Sequence, residues 1–333
     1  MRIGITEPTS GDTPTGNRRQ ATQWGSYLRE LGHEVELGVA ADRFNVDALI
    51  ALNASKSHDS IVAFRAAHPS RPIIVVLTGT DIYPAPDQRT IEAIRIADRI
   101  VTLQARAAQQ IPSIFRDKLS VIVQAAAPPS TPPAARSTDP FQIAVVSHLR
   151  EVKDPLRAAK AARMLPPASK IRVRLAGDVL DAEYREMVAI EVAENARFEW
   201  LGPLDATATG DLIAASQLVV VSSFFEGGAR VIGDSVVLDT PLLAARNDAS
   251  ASLLKDDYPG LYEAGNTLEL AALMLRAETD SDFRDTLHDR IAPLVPRFDP
   301  QRERAALQTL IQELPTARRE DHEPRDTGAS AGS

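Results

Sequence analysis

The sequence contains no cysteine, and this absence removes three kinds of chemistry at once. Disulfide bonds, thiolate nucleophiles and cysteine-ligated zinc all need the thiol, so none of them operates in this chain. Histidine is also scarce, because the six residues are scattered along the sequence and no two have the spacing of metal ligands. We therefore expect no catalytic metal site.

Long apolar runs and dense basic stretches are missing as well. No run approaches the roughly 18 apolar residues of a membrane-spanning helix, and the amino terminus leads straight into a strand pattern without the features of a secretory signal. The formal net charge is −8, and basic residues do not interleave with aromatic ones as they do on nucleic-acid-binding surfaces. We expect a cytoplasmic protein whose partners include neither a membrane nor nucleic acid.

The sequence does contain a regular alternation of short apolar runs and amphipathic helical segments, which is typical of βαβ units around parallel sheets. The length of 333 residues accommodates two domains of this kind. In the first half, strands are predicted at residues 2–6, 34–39, 48–52, 73–77, 99–103 and 120–123, and helices between them at 17–31 and 59–67. In the second half, strands are predicted at residues 141–147, 171–176, 198–201, 218–221 and 241–244.

A proline-rich segment separates the two halves. Residues 125–140 cannot hold a helix or a central strand, because proline lacks the backbone N–H and has a fixed φ. We therefore expect one Rossmann-like domain at 1–124, a linker at 125–140 and a second Rossmann-like domain at 141–296. A closing helix over 297–314 and a polar, disordered tail over 315–333 complete the predicted organisation.

Two loops of the first domain carry candidate functional residues, because tandem domains of this type bind ligands between the carboxyl ends of their strands. The loop at 11–18 leads into a helix, so its glycines and the helix N-terminus favour an anion that Arg18 or Arg19 could clamp. A flexible turn with a polar helix cap explains that loop equally well. The loop at 77–83 carries hydroxyls and Asp81, which suit acceptor contacts or a base, although Asp81 could merely cap a turn.

Two further loops belong to the second domain. Arg150 and Lys153 lie three residues apart after a strand, close enough to converge on one diphosphate, and a solvated surface turn is the alternative. In the segment 225–234, paired glycines at a helix start offer N–H groups to phosphate or to sugar hydroxyls. Glu226 and Asp234 are eight residues apart and so lie about two turns along one helix face, unless Asp234 is simply solvated.

Together these segments resemble the family-4 retaining-type glycosyltransferases of the GT-B fold, whose second domain carries two glutamates separated by seven residues. Within that group the chain is most similar to the selenosugar synthases of selenoneine biosynthesis. The similarity is carried by residues 15–18, 31–33, 77–83, 148–155, 226–229 and 256–260. It extends over nearly the whole chain before the tail.

The resemblance implies an α/β protein of the GT-B type, with two Rossmann-like doubly wound domains facing each other across a cleft. It implies a metal-independent hexosyltransferase that needs no cofactor, with UDP-glucose or UDP-N-acetylglucosamine as donor and selenophosphate as acceptor. The implied catalytic residues are Asp81 and Glu226. The implied donor-binding residues are His148, Arg150, Lys153, Gly227, Gly228 and Asp234, and the implied acceptor-binding residues are Gly16, Asn17, Arg18 and Thr80.

Four positions depart from the family pattern. Asp234 replaces the usual glutamate, Arg230 replaces an asparagine, Asn53 stands where a histidine is expected, and Ser147 replaces a glycine. Two alternatives therefore stay open: a diverged transferase that uses another small acceptor, such as a thiol or phosphate, and a non-catalytic protein that binds a UDP-sugar. The sequence fixes neither the sugar, nor the stereochemical outcome, nor the oligomeric state.

Overall fold

The computed structural model describes residues 1–8, 15–41, 44–126, 136 and 139–315. Three predicted features lie wholly or mostly outside these ranges. They are residues 11–14 of the first loop, most of the linker predicted at 125–140, and the disordered tail predicted from 315, of which 316–333 fall outside.

The first sheet contains six parallel strands, all of which the sequence predicts to within two residues at either end. The strands are β1 Arg2–Thr6, β2 Glu34–Gly38, β3 Ala48–Leu52, β4 Ile73–Leu77, β5 Arg99–Thr102 and β6 Leu119–Val121, in the spatial order β2-β1-β3-β4-β5-β6. Every residue of β3 and β4 is buried, because helices cover both faces of the sheet. A continuous apolar run is what a parallel strand in that position requires.

Three helices accompany this sheet, namely α1 Gly16–Glu30, α2 His58–Ala67 and α3 Gln88–Ile96. The start of α1 is fixed by Thr15, whose hydroxyl accepts the backbone N–H of Arg18 as an N-cap. Trp24 and Leu28, four residues apart on one face of α1, are fully buried. The helices predicted at 17–31 and 59–67 are thus confirmed.

The second sheet also has six parallel strands, one more than the sequence predicts. They are β7 Phe141–Val146, β8 Ile171–Ala176, β9 Phe198–Trp200, β10 Leu218–Val221, β11 Leu242–Arg246 and β12 Leu261–Glu263, in the spatial order β12-β11-β10-β7-β8-β9. The missed strand β12 is a three-residue edge strand that pairs only with β11. Its apolar run consists only of Leu261 and Tyr262, between Gly260 and Glu263, and is too short to show a strand pattern.

The helices of the second half are α4 Arg157–Ala162, α5 Glu183–Glu194, α6 Ala206–Ala215, α7 Arg230–Val237, α8 Asp248–Leu254, α9 Thr267–Thr279, α10 Ser281–Ile291 and α11 Pro300–Gln312. Short 3-10 segments lie at Ala105–Gln110, Ser113–Lys118, Glu151–Lys153 and Ala292–Phe298. Among the described residues, no helix combines the length and the apolar character needed to cross a bilayer.

The last helix, α11, returns from the second domain to the first. Leu307 and Leu310 are buried in the same apolar cluster as Ile3 and Trp24. Glu303 of α11 is 2% exposed and accepts hydrogen bonds from Trp24 Nε1 at 2.7 Å and from the Gln20 side chain at 2.8 Å. The helix therefore completes the core of the amino-terminal domain.

Candidate active site between the two domains

Each sheet has one point at which the order of the strands reverses. In the first sheet it lies between β1 and β3, and in the second between β7 and β10. Open α/β sheets bind ligands in the crevice outside the carboxyl ends of the strands at such a point. The loops that flank these two crevices carry Glu7 and Asn53 in the first domain, and Lys153 and Glu226 in the second.

Lys153 and Glu226 form an ion pair at the reversal point of the second sheet. Lys153 Nζ lies 2.6 Å from Glu226 Oε1, and the side chains are only 19% and 13% exposed. The hydroxyl of Ser223 donates a second hydrogen bond to the same carboxylate oxygen at 2.7 Å. Ser222 Oγ donates to the backbone carbonyl of Asp154 at 2.8 Å, which fastens the two loops together. The structure thus brings the predicted cation and the predicted carboxylate into contact.

Arg150 lies at the start of the 3-10 segment that ends with Lys153. Its Nε is buried and has no hydrogen-bond partner within the described part of the chain. A buried guanidinium N–H without an acceptor is costly, so a phosphate oxygen within reach of Arg150 would satisfy an otherwise unmet donor.

His148 lies where the loops after β7 and β8 cross. Its Nδ1 accepts the backbone N–H of Asp178 at 3.3 Å. A Cβ at Gly177 would lie 1.9 Å from the carbonyl oxygen of Ser147, so the two loops touch through backbone atoms. The serine in place of the family's glycine is accommodated, because the contact at position 147 uses only its carbonyl.

Gly227 and Gly228 occupy a different environment from the one the sequence suggests. A Cβ at Gly227 would lie 2.2 Å from the carbonyl oxygen of Thr78, and one at Gly228 would lie 2.3 Å from Gln124 Oε1. Atoms of the first domain therefore fill the space beside both glycines. Gly227 allows two backbones to approach closely, and Gly228 makes room for the Gln124 side chain. A contact of their N–H groups with a phosphate stays a prediction.

Asp81 is held by backbone N–H groups at the ends of β3 and β4. Its residue is 2% exposed, and its carboxylate accepts backbone N–H groups from Gly79 at 2.8 Å, from Ala54 at 2.9 Å and from Thr78 at 3.0 Å. Burial raises the pKa of this carboxyl, and the backbone donors offset part of the effect. A side chain held in this way shapes the loops after β3 and β4, so the predicted catalytic role of Asp81 is not supported.

Asn53 performs a related task at the end of β3. Its φ of 63° lies in the left-handed region, which asparagine tolerates better than most residues. Its amide donates to the hydroxyls of Thr78 at 3.1 Å and of Thr80 at 3.2 Å. The residue is 2% exposed, so asparagine is explained here by loop geometry, while Thr80 itself lies exposed on the loop.

The predicted acceptor residues Gly16, Asn17 and Arg18 come together in the first turn of α1. Arg18 Nε donates to Glu7 Oε1 at 2.9 Å, and Glu7 is 6% exposed. Sequence reasoning missed Glu7. The available signal was an acidic residue placed directly after the carboxyl end of a predicted strand.

Arg230 and Asp234 belong to α7, and their side chains face the first domain. Asp234 Oδ2 is 3.8 Å from Arg19 Nη1, and burial raises the pKa of the Asp234 carboxyl. Arg230 donates to the carbonyl of Ala125 at 3.1 Å and to the side chain of Gln20 at 3.0 Å. The arginine that replaces the family's asparagine therefore joins the two domains. A contact of Asp234 with a ribose stays a prediction.

The other side of the cleft is held by aromatic and polar contacts. The rings of Tyr83 and Phe225 stack with centroids 5.9 Å apart, and Tyr83 Oη donates to Asp248 at 3.1 Å. Arg106 of the first domain forms an ion pair with Asp256 of the second. Within the described ranges, no group of three or more metal-binding side chains is placed to hold an ion.

Comparison with known proteins adds a family match and several similar folds. Residues 130–291, just under half of the chain, match the family described as glycosyl transferases group 1. No curated protein matches the chain in sequence.

Three solved structures illustrate the likeness in fold. The Anabaena protein Alr3699/HepE in complex with UDP and glucose is 16% identical, with a TM-score of 0.76 over 94% of this chain and 100% of that one. An E. coli structure described as trehalose-6-phosphate bound with UDP-2-fluoro glucose is 11% identical, with a TM-score of 0.73 over 95% and 100%. An α,α-trehalose-phosphate synthase (UDP-forming) from Burkholderia xenovorans in complex with glucose-6-phosphate is 14% identical, with a TM-score of 0.66 over 80% and 72%.

Proposed function

We propose that this chain, which has the GT-B fold and carries a group 1 glycosyltransferase domain, transfers a hexosyl group from a UDP-sugar to a small acceptor. The observation that carries the proposal is the 2.6 Å contact between Lys153 Nζ and Glu226 Oε1 at the reversal point of the second sheet. A cation suited to a diphosphate and a carboxylate suited to sugar hydroxyls lie side by side there. The complexes of the Anabaena protein with UDP and with UDP-glucose support the choice of donor.

The positive charges of the site would stabilise UDP as it leaves. The ammonium group of Lys153 has three donors, so it can hold Glu226 and still contact a phosphate oxygen. Arg150 adds a second cation from the same loop, and preorganised cations stabilise charge that develops on a leaving group. Because these two residues supply that charge, we propose a reaction that needs neither a metal nor another cofactor.

The donor site is tested by replacing Lys153 with methionine, which keeps the length of the side chain and removes its charge. We expect the Kd for UDP, measured by calorimetry, to rise at least about tenfold, because a charge-assisted hydrogen bond is lost. Lys160→Met is the matched control, since Lys160 is exposed on α4. Equal UDP affinity in both variants would place the donor site elsewhere.

Selenophosphate is the acceptor that we propose, on the strength of the sequence resemblance, and we place the reaction in the cytoplasm. Folded protein incubated with selenophosphate and UDP-glucose or UDP-N-acetylglucosamine should yield a selenium-containing sugar, detectable by mass spectrometry. UDP release that depends instead on a thiol or on phosphate would indicate a diverged transferase. Tight binding of a UDP-sugar with neither transfer nor hydrolysis would indicate a non-catalytic binding protein.

A further inference from the structure

The carboxyl end of β1 holds two buried oxygens that the reaction proposed above does not use. Thr6 Oγ1 and Glu7 Oε2 have no hydrogen-bond partner among the described residues, and the two residues are 0% and 6% exposed. Native proteins rarely leave a buried polar atom unpaired, so each of these two atoms calls for a partner that the described residues do not supply. Both atoms lie at the reversal point between β1 and β3, where a sheet of this kind binds its ligand.

The other oxygen of the same carboxylate is already paired. Glu7 Oε1 accepts from Arg18 Nε at 2.9 Å, which fixes the carboxylate and balances the charge of the arginine. A fully ionised oxyanion at Oε2 would meet a like charge, whereas a group that donates a hydrogen bond would be held strongly. Glu7 Oε2 therefore favours a ligand that donates a hydrogen bond to it.

The position of Glu7 suits an acceptor. The loop after β4 touches the second domain, because a Cβ at Gly79 would lie 2.7 Å from the backbone nitrogen of Gly227, the neighbour of Glu226. In the first sheet, β1 lies two strands from β4, which is about 10 Å at the usual strand spacing. A small molecule held at Glu7 can therefore extend towards a sugar bound at Glu226.

We propose that Glu7 is an acceptor-binding residue and that the acceptor presents an O–H group to Glu7 Oε2. This inference rests on the glycosyltransferase function proposed above. Two kinds of molecule share the required chemistry: an oxyanion that retains one proton, such as hydrogen phosphate or protonated selenophosphate, and a neutral polyol. Sulfate, which carries no proton near neutral pH, is the discriminating counterpart.

The test measures binding of inorganic phosphate, sulfate and glucose to the UDP-saturated protein by calorimetry. The wild-type protein should bind phosphate or glucose, and if it binds phosphate it should bind sulfate at least about tenfold more weakly. Binding of phosphate points to an oxyanion acceptor and binding of glucose alone to a polyol. Sulfate bound as tightly as phosphate, or no binding of either phosphate or glucose, overturns the proposal.

Glu7→Gln removes the charge while keeping the shape, and Glu36→Gln, on the exposed face of the edge strand β2, is the matched control. We expect Glu7→Gln to weaken the favoured acceptor about tenfold or more and to bind phosphate and sulfate equally, with UDP affinity unchanged. Unaltered acceptor affinity and selectivity would refute the role of Glu7. If Glu7→Gln does not fold, Glu7→Asp, which keeps the pair with Arg18 but withdraws the free oxygen, should show the same loss.

The outcome for the proposed function is read separately. If the wild-type protein does not bind UDP, the glycosyltransferase proposal is refuted, whatever the result for the Glu7 variants. Normal UDP binding and UDP release, combined with an unchanged acceptor profile in Glu7→Gln, would leave that function standing and remove only the assignment of Glu7.

Discussion

Replacing Gly227 with alanine probes how closely the two domains must approach. The added Cβ would lie 2.2 Å from the carbonyl oxygen of Thr78 and 2.9 Å from the backbone nitrogen of Gly79, whereas ordinary contacts begin near 3.4 Å. Backbone atoms cannot rotate away as a side chain does. The two loops therefore have to separate by roughly 1 Å, because interiors are too closely packed to absorb the methyl group.

We expect this separation of the two loops to slow the reaction. Glu226 is the adjacent residue, and a misplacement of about 1 Å between reacting groups can cost about 100-fold in rate. The kcat for UDP release should fall about 100-fold in Gly227→Ala, and overpacking should lower the unfolding free energy by about 1–3 kcal/mol. The Kd for UDP should change little, because Lys153 and Glu226 belong to the same domain.

The matched control is Gly210→Ala, inside α6, where a Cβ would meet nothing within 4 Å. This change should leave kcat unaltered and stabilise the protein by up to about 1 kcal/mol, since glycine weakens a helix interior. For the wild type and the two variants, steady-state kinetics measure kcat, calorimetry measures the Kd for UDP, and thermal melting measures the stability. A Gly227→Ala protein with wild-type kcat and melting temperature would show that the loops do not touch during turnover, and the reasoning would be wrong.

Three further predictions concern buried carboxylates. Glu303→Ala should lower the unfolding free energy by about 3 kcal/mol or more in urea titrations, because it leaves several buried donors, Trp24 Nε1 among them, without an acceptor. Asp81→Asn should lower the melting temperature and leave the UDP affinity unchanged, since an amide nitrogen would face backbone N–H groups; an unaltered melting temperature would contradict the loop-shaping role. Burial raises the pKa of the Asp234 carboxyl in the folded protein. The wild-type protein therefore loses stability relative to Asp234→Asn as the pH rises from the pKa in the unfolded chain, near 3.9, through the higher pKa in the folded protein. The melting temperature of Asp234→Asn should therefore exceed that of the wild type at pH 7 but not at pH 3, and an equal difference at both would refute the buried-charge explanation.

The central strands β3, β4 and β10 could be predicted because every residue in them is buried. An uninterrupted apolar segment such as Ile73–Leu77 has few alternatives in a chain that alternates strands with helices. The strand Leu261–Glu263 could not be predicted, because its apolar run is only Leu261 and Tyr262, which is too short to show a strand pattern.

The candidate site could also be predicted only in part. Lys153 and Glu226 could be placed together, because adjacent parallel strands end at one edge of the sheet. The backbone contacts of Asp81 could not be predicted, because an aspartate after a strand looks the same in sequence whether it faces a ligand or its own backbone. The role of Arg230 depends on Gln20, which is 210 residues away, and no local pattern encodes such a partner.

Because α11 packs against the first domain, that domain can be completed only after the second domain has been synthesised. The sheet made of β1 to β6 emerges first from the ribosome, yet Leu307 and Leu310, which seal one of its apolar faces, are synthesised almost 200 residues after β6 ends. The nascent domain must wait with that face uncovered while the entire second domain is made. Such a delay exposes apolar surface to other chains, so the part of the protein that is born first is also the part most in need of protection.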